Sequence, residues 1–277
     1  MISGKTLLIA HLGYPTEAFK APMIYNPWFE KQGIDAVVVP MGVQAVDYPA
    51  ALAALAKMSN VHGALVTMPH KVTTLGLADE VTPTARIAGA CNALLRRAGG
   101  RWLGDQFDGA GFVRGVERKG RRVAGSRILI AGCGGVGSAI AASLAAAGAG
   151  AIDLFDAHDA AAQALRKRLL QHYPQLEVRT GSNDPAGHDI VVNATPLGMS
   201  EGDPLPFDVE RIDAHALVGE VVMKAELTPL LRAAQERGLA VQVGTDMLFE
   251  MIPAYLEFFG FGTASPDELR AVAQLRY

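Results

Sequence analysis

The sequence predicts an α/β protein of two domains, an N-terminal α/β domain followed by a Rossmann-type domain, with a cleft between them. Three observations predict this fold. Short apolar runs alternate with helical stretches along the chain. A glycine-rich loop, Gly132–Gly137, lies near the middle of the chain and not at its start. The length of 277 residues suits two domains, and the roughly 125 residues before the loop carry strand and helix patterns of their own.

The first half alternates strand and helix, which favours a parallel sheet over hairpins. Three short apolar runs predict buried strands: Leu7–Ala10, Ala36–Val39 and Ala64–Thr67. Two helices are predicted between them: Pro22–Gln32 and Pro49–Lys57. Two further segments, Ala93–Arg97 and Arg101–Leu103, predict a short hairpin.

The second half repeats this alternation. The predicted strands are Arg127–Ala131, Ile152–Phe155, Val178–Thr180, Ile190–Asn193, Leu217–Val221 and Val241–Val243. The predicted helices are Gly135–Ala147, Ala160–His172, Thr228–Arg237, Asp246–Phe259 and Pro266–Leu275. We expect residues 1–104 to form the first domain, with 248–277 packing back on it, and residues 105–247 to form the second.

Composition excludes several functional classes. Half of the residues are hydrophobic, and the net charge of −3 gives no electrostatic signature of nucleic-acid binding or of attraction to an anionic membrane. The two cysteines, Cys91 and Cys133, have no metal-ligand spacing, so no metal is expected. The N-terminus lacks a signal-peptide pattern, and we expect a cytoplasmic protein whose partner is a small molecule.

The glycine loop follows a predicted strand and opens an alanine-rich helix. Gly132, Gly134 and Gly137 allow a tight turn, close approach of a pyrophosphate and close helix–strand packing. Asp156 ends the next predicted strand, where a carboxylate accepts hydrogen bonds from a ribose 2′-hydroxyl and repels a 2′-phosphate. The sequence therefore favours NAD over NADP as cofactor. The alternatives are a purely structural glycine turn and, for Asp156, an N-cap of the following helix, a role that Asp159 could also fill.

Lys71 and Asp108 are candidates for proton transfer. Lys71 follows a predicted strand, and ligands gather at the carboxyl ends of strands in α/β sheets. Asp108 lies at the predicted entry to the second domain. A Lys–Asp pair can exchange the hydroxyl proton that hydride transfer from a secondary alcohol requires. From spacing alone, a solvated surface lysine is the simpler interpretation of Lys71.

Six segments together resemble the shikimate/quinate dehydrogenase family, in order over nearly the whole chain. The family patterns are NVTxPHK, GAxNTL, GxNTDGxGF, NATPxGM, TPLL and GxxML. The segments similar to them are, in that order, Leu65–Lys71, Gly89–Leu94, Gly104–Phe112, Asn193–Met199, Thr228–Leu231 and Gly244–Leu248, of which the last three match at every defined position. In the third, Gln106 and Phe107 stand for the asparagine and threonine before the aspartate.

The resemblance implies a substrate domain before a Rossmann domain, with Lys71 and Asp108 as the catalytic pair and Thr67 and Asn92 as substrate contacts. It also implies cofactor contacts beyond the glycine loop and Asp156. The full set of expected cofactor contacts is Gly132, Gly134, Gly135, Val136, Gly137, Asp156, Asn193, Ala194, Thr195, Pro196, Met199, Val221, Gly244 and Met247.

The sequence departs from the family where polar side chains would contact a substrate. The family's SxSP, whose serines hold a carboxylate, aligns with residues 19–22, so both hydroxyls are absent. Leu65 stands where the family has the asparagine of NVT, Phe107 where it has the threonine before the catalytic aspartate, and Met251 where it has a glutamine four residues past ML. We call these replacements the apolar set and expect them to line one side of the pocket: Phe19, Ala21, Leu65, Phe107 and Met251. A site built for a triol acid loses affinity when such partners vanish, so we expect a less polar substrate, unless Lys20 turns inward and holds a carboxylate.

These observations predict an NAD-dependent oxidoreductase of this family that acts on a secondary alcohol of a cyclic hydroxy acid, shikimate- or quinate-like or less polar, as a monomer or homodimer. The alternative is an NAD-binding regulatory or sensor protein with a decayed substrate site.

Overall fold

A computed structural model describes residues 2–17 and 19–275. The chain divides into two compact units. The first unit runs to Phe107 and resumes at Met251, and the second unit comprises Asp108–Glu250. Each unit is built around its own six-stranded sheet.

The strands follow the predicted order, except that the short strand β4 was not predicted. They are β1 (Leu7–Gly13), β2 (Ala36–Gly42), β3 (Val61–Val66), β4 (Glu80–Val81), β5 (Ala93–Arg96), β6 (Trp102–Asp105), β7 (Arg127–Ala131), β8 (Ala151–Phe155), β9 (Glu177–Thr180), β10 (Ile190–Asn193), β11 (Leu217–Glu220) and β12 (Ala240–Gln242).

The helices alternate with these strands, as predicted. They are α1 (Pro22–Gln32), α2 (Tyr48–Leu55), α3 (Lys71–Leu77), α4 (Pro83–Ala88), α5 (Asp108–Arg118), α6 (Gly135–Ala146), α7 (Asp159–His172), α8 (Pro229–Glu236), α9 (Gly244–Phe258) and α10 (Pro266–Val272).

In the first unit the strand order is β2-β1-β3-β5-β6-β4. Strand β1 pairs in parallel with β2 and β3, whereas β5 pairs antiparallel with β3 and β6, which confirms the predicted hairpin. Because β1 and β3 are parallel neighbours, their carboxyl ends lie side by side. Helix α10 packs against α1, and just after α10 the Gln274 amide donates to the Met23 carbonyl at 2.9 Å.

In the second unit all the paired strands are parallel, in the order β12-β11-β10-β7-β8-β9. Its central strands β7 and β10 are almost wholly buried, because parallel sheets are covered on both faces and need continuous apolar runs. This is the doubly wound order of a Rossmann fold, with the change of direction beside β7. The predicted α/β class is confirmed.

Three helices were not predicted: α3, α4 and α5. Helix α3 contains Val72, Thr73, Thr74 and Gly76, which are poor helix formers. Helix α5 carries glycines because it packs closely against α6: a Cβ on Gly109 would overlap the carbonyl oxygen of Ala139. Tertiary packing stabilises these helices where propensity does not.

Candidate functional site

The glycine loop, Gly132–Gly137, connects β7 to α6 in the second unit. Gly132 has a φ of +96°, and a Cβ there would lie 2.5 Å from the carbonyl oxygen of Ala194. A Cβ on Gly137 would overlap the carbonyl oxygen of Gly132. Gly134 differs, since nothing lies within 4 Å of a Cβ built on it. Two glycines thus make the turn possible, and the third leaves space beside the first turn of α6.

Asp156 follows β8 directly and contacts this loop. Its Oδ2 accepts a hydrogen bond from the Cys133 amide at 2.7 Å, and its Oδ1 accepts one from the His158 amide at 2.8 Å. Helix α7 begins at Asp159 with His158 at its N-cap, and no side chain caps it. The N-cap interpretation of Asp156 is therefore wrong, and the carboxylate lies half-buried against the glycine loop.

A buried polar network shapes the carboxyl ends of β10 and β11. The Asn193 amide nitrogen donates to Glu220 at 3.1 Å and to the Leu197 carbonyl at 3.0 Å, and Asn193 Oδ1 accepts from the Thr195 amide. Glu220 also accepts from the Thr228 hydroxyl at 3.0 Å. Burial raises the pKa of Glu220, and these hydrogen bonds oppose the rise. Asn193 thus fixes the loop that follows β10, through contacts made within the unit.

The other predicted cofactor residues lie at the carboxyl ends of these strands or at the starts of helices. Gly135 and Val136 begin α6, Ala194 and Pro196 follow β10, Val221 follows β11, and Gly244 and Met247 lie in the first turn of α9. Met199 is exposed. Carboxyl ends of parallel strands are where α/β folds bind nucleotides.

In the first unit, Thr67 directly follows β3 and Lys71 begins α3. The Thr67 amide donates to the Leu12 carbonyl at 2.9 Å, and the Thr67 carbonyl accepts from the His70 amide at 3.0 Å. Lys71 is the first residue of α3 and is half-buried. The turn after β3 therefore holds Lys71 at the edge where β1 and β3 end.

His70 and its neighbours fix this turn from beneath. The His70 ring stacks on the Tyr48 ring with centroids 3.9 Å apart, and its Nε2 hydrogen-bonds the Val43 carbonyl at 2.8 Å. The Tyr48 hydroxyl is 2.6 Å from the Thr74 hydroxyl, one turn into α3. The backbone that carries Lys71 is thus clamped on the side away from solvent.

Asn92 lies between α4 and β5 and is 1% exposed. Its Oδ1 accepts from the Phe107 amide at 2.9 Å, and its carbonyl accepts from the Tyr255 hydroxyl at 3.3 Å. Its amide nitrogen is buried without a hydrogen-bond partner among the described residues. Such a donor is available for a ligand.

The apolar set is distributed over the first unit. Leu65 and Ala21 are buried, and Met251 is half-buried in α9. The Phe107 ring packs edge-on against Tyr255 and Phe258, with centroids 4.8 and 5.4 Å apart. That Phe107 lines a substrate pocket stays a prediction.

Phe19 stacks on His11, a residue that sequence reasoning missed. The ring centroids are 4.1 Å apart, and His11 Nδ1 is buried without a partner among the described residues. Burial and, secondarily, the charge of Lys71 lower the pKa of His11 to about 3. The available signal was a histidine inside an apolar strand.

Asp108 is the first residue of α5, directly after Phe107, and is buried.

Among residues 2–17 and 19–275, no group of three histidine, cysteine, aspartate or glutamate side chains could hold a metal ion. In the same residues, no helix has the length and apolar character needed to cross a bilayer.

Two family descriptions match the chain. Residues 12–94 match the shikimate dehydrogenase substrate binding domain, and residues 113–170 match the ThiF family. The chain is 37% identical to a shikimate dehydrogenase (NADP(+)) of Acidiphilium cryptum, over 99% of this chain and 98% of that protein. It is 34% identical to the protein of the same name from Rhodospirillum rubrum, over 98% of each.

Solved structures are similar over the whole chain. Shikimate 5-dehydrogenase from Listeria monocytogenes, in complex with shikimate and NAD, has a TM-score of 0.89 and 25% identity, covering 98% of this chain and 97% of that one. Quinate dehydrogenase from Corynebacterium glutamicum, in complex with NAD, has a TM-score of 0.86 and 27% identity, covering 96% and 98%.

Proposed function

The chain belongs to the shikimate dehydrogenase family and is an oxidoreductase that uses a nicotinamide dinucleotide, and we propose that it oxidises a secondary alcohol of a cyclic hydroxy acid reversibly with NAD. The observation that carries this proposal is the glycine loop with Asp156 against it, on the carboxyl edge of a parallel sheet. The cofactor fits because Gly132 and Gly137 tolerate no side chain, while Gly134 leaves open space at the start of α6.

A bound nicotinamide dinucleotide would supply the hydride acceptor for oxidation of the alcohol carbon. The hydroxyl proton must leave at the same time, and we assign its transfer to Lys71 acting with Asp108. The clamp beneath α3 holds the Lys71 backbone in one position, as proton transfer demands. Thr67 and Asn92 are assigned to bind substrate, and the unpartnered amide nitrogen of Asn92 supports this role. No observation favours the regulatory alternative.

NAD preference rests on Asp156. A carboxylate at this position pairs with a ribose 2′-hydroxyl and repels a 2′-phosphate. The two relatives at 37% and 34% identity are named as NADP(+) enzymes, which differs from the NAD preference proposed here. The similar quinate dehydrogenase structure, in contrast, is a complex with NAD. NAD should therefore bind at least tenfold more tightly than NADP, or about 1.4 kcal/mol.

Titration of both cofactors tests this preference. Asp156→Ser should reduce the NAD-to-NADP affinity ratio, because the repelling charge is removed. Asp159→Ser is the matched control, since Asp159 is an exposed acidic residue three positions away, at the start of α7. Equal or tighter NADP binding by the unaltered protein would refute the assignment.

The substrate should be less hydroxylated than shikimate or carry a larger apolar part. Phe19 stands where the family has a serine, and apolar surface gains roughly 25 cal/mol per Å² that it covers but cannot repay the dehydration of hydroxyls. The test is kcat/KM for shikimate, quinate and their deoxy or alkyl analogues with NAD. If shikimate is the best substrate, at roughly 10⁴ M⁻¹s⁻¹ or more, the altered-substrate proposal is wrong.

A further inference from the structure

His11 is an unexpected polar residue in the apolar strand β1. It is 8% exposed, and the sheet register places it beside Leu65 of β3. Strand β1 ends two residues later at Gly13, where a Cβ would lie 2.5 Å from Thr67 and 2.7 Å from Phe19. His11 therefore lies among residues that the proposed function assigns to the substrate.

The environment of the imidazole is partly closed. The Phe19 ring covers one face, at 4.1 Å and an interplanar angle of 28°. The Nδ1 atom at the ring edge is buried, with no hydrogen-bond partner among the described residues. Buried polar atoms in native proteins are almost always paired, so a water molecule or a ligand is expected there.

The chemistry of the ring selects the ligand group. Burial and the nearby charge of Lys71 hold the pKa of His11 at about 3, so the imidazole is neutral near pH 7. A neutral imidazole has one N–H donor and one acceptor nitrogen. A hydroxyl can pair with either tautomer, whereas a carboxylate can only accept and gains no charge attraction from a neutral ring.

We propose that His11 is a specificity-determining residue, whose Nδ1 hydrogen-bonds an uncharged hydroxyl of the substrate, next to the alcohol that reacts at Lys71. This inference rests on the proposed function. Phe19 fixes the plane of the imidazole, so that the residue which replaces a family serine also directs the new polar contact.

Two variants test this role. His11→Phe keeps an aromatic ring against Phe19 without a polar atom, and His11→Asn keeps a polar atom near the position of Nδ1. The probes are shikimate, quinate and their monodeoxy analogues, assayed with NAD for kcat and KM. For the hydroxylated member of one pair, His11→Phe should lower kcat/KM about 10- to 100-fold, mainly through KM. The deoxy member should change little, and His11→Asn should recover part of the loss.

Three results would overturn the inference. Equal losses on both members of every pair would mean that His11 only shapes the pocket. Unchanged kcat/KM with a raised Tm in His11→Phe would mean that Nδ1 does not contact the substrate and that its burial only costs stability. Loss of an ionisation from the pH profile of His11→Asn would make His11 an acid–base group instead.

The failure of the proposed function has a separate signature. Unaltered protein that binds NAD but oxidises none of these alcohols would refute the oxidation itself, and this inference with it. Unaltered protein that oxidises a probe, with variants that do not discriminate within pairs, would refute only the role of His11.

Discussion

The two units differ in how they treat the buried polar atoms of their candidate sites. In the second unit, Asn193 and Glu220 satisfy one another and the adjacent backbone, and Asp156 is bonded to the glycine loop. In the first unit, His11 Nδ1 and the Asn92 amide nitrogen are buried without partners among the described residues. The candidate cofactor region is thus satisfied by its own hydrogen bonds, whereas the candidate substrate region keeps buried polar atoms that a ligand could pair, which supports the proposed function.

The two regions also differ in the kind of group that would contact a ligand. In the proposed function the candidate cofactor region is built mainly from backbone and glycine, groups that suit the constant pyrophosphate of a dinucleotide. In the proposed function the candidate substrate region is built from side chains, so a few substitutions there should change the ligand without altering the fold. Phe19, Ala21 and His11 illustrate this, since all three lie in an intact α/β unit.

The largest expected effect is on the chemical step. Lys71→Ala should lower kcat on the best probe alcohol by about 10²–10⁴-fold, because a positioned acid–base group contributes that much. Asp108→Asn should act in the same direction. The fold should survive, because the clamp of Tyr48 and His70 does not use the Lys71 side chain.

Lys57→Ala is the matched control for this variant, since Lys57 is exposed in the turn after α2. Steady-state turnover and Tm should be measured for each protein. Near-normal turnover of Lys71→Ala would remove Lys71 from the proton-transfer role.

The next effect separates folding from binding within the glycine loop. Gly137→Ala should lower the free energy of unfolding by roughly 1–3 kcal/mol, because its Cβ would overlap the backbone of Gly132. Gly134→Ala should leave the free energy of unfolding within about 0.5 kcal/mol, since its Cβ meets nothing and its φ of −69° suits alanine.

Gly134→Ala should instead weaken NAD binding about tenfold or more, because this glycine allows the pyrophosphate to approach the backbone. Denaturant unfolding and NAD titration of both variants check this contrast. Unchanged NAD affinity in Gly134→Ala would show that the open space is not the pyrophosphate position.

Much of the fold could be predicted because apolar periodicity is local. Strands Arg127–Ala131 and Ile190–Asn193 and helix Pro22–Gln32 have the predicted bounds. Helix α5 could not be predicted, since its glycines are explained only by its contact with α6. The motifs identified Lys71 because they are local in sequence. The hydrogen bond of Tyr255 to Asn92, in contrast, joins residues 163 positions apart, and no local pattern indicates it. The stacking of Phe19 on His11 depends on how the chain turns after β1, which the residue pattern alone does not give.

A smaller effect tests whether the apolar set decides the substrate. The double variant Phe19→Ser, Ala21→Ser should raise kcat/KM for shikimate about tenfold, because hydroxyls return that can hold a carboxylate. The same variant should lose activity on less polar analogues, which supplies an internal control. If the unaltered protein already prefers shikimate and the serines bring no gain, residues other than Phe19 and Ala21 determine which substrate is bound.

The smallest effect is a pH dependence of stability from His11. Its pKa is lowered to about 3 in the folded state, against 6.5 as the ordinary value, so below about pH 6.5 only the unfolded chain binds this proton. Stability should therefore fall as the pH drops through this window, by at most about 1.4 kcal/mol per pH unit from this group. His11→Phe cannot bind the proton in either state and should lose stability less steeply. Urea unfolding of both proteins at several pH values between about 7 and 5 measures the difference, and carboxylate titrations cancel in the comparison. Parallel pH dependences of the two proteins would mean that His11 takes up its proton in the folded state as well. His11 would then be accessible to solvent in the folded protein, and the lowered pKa would be wrong.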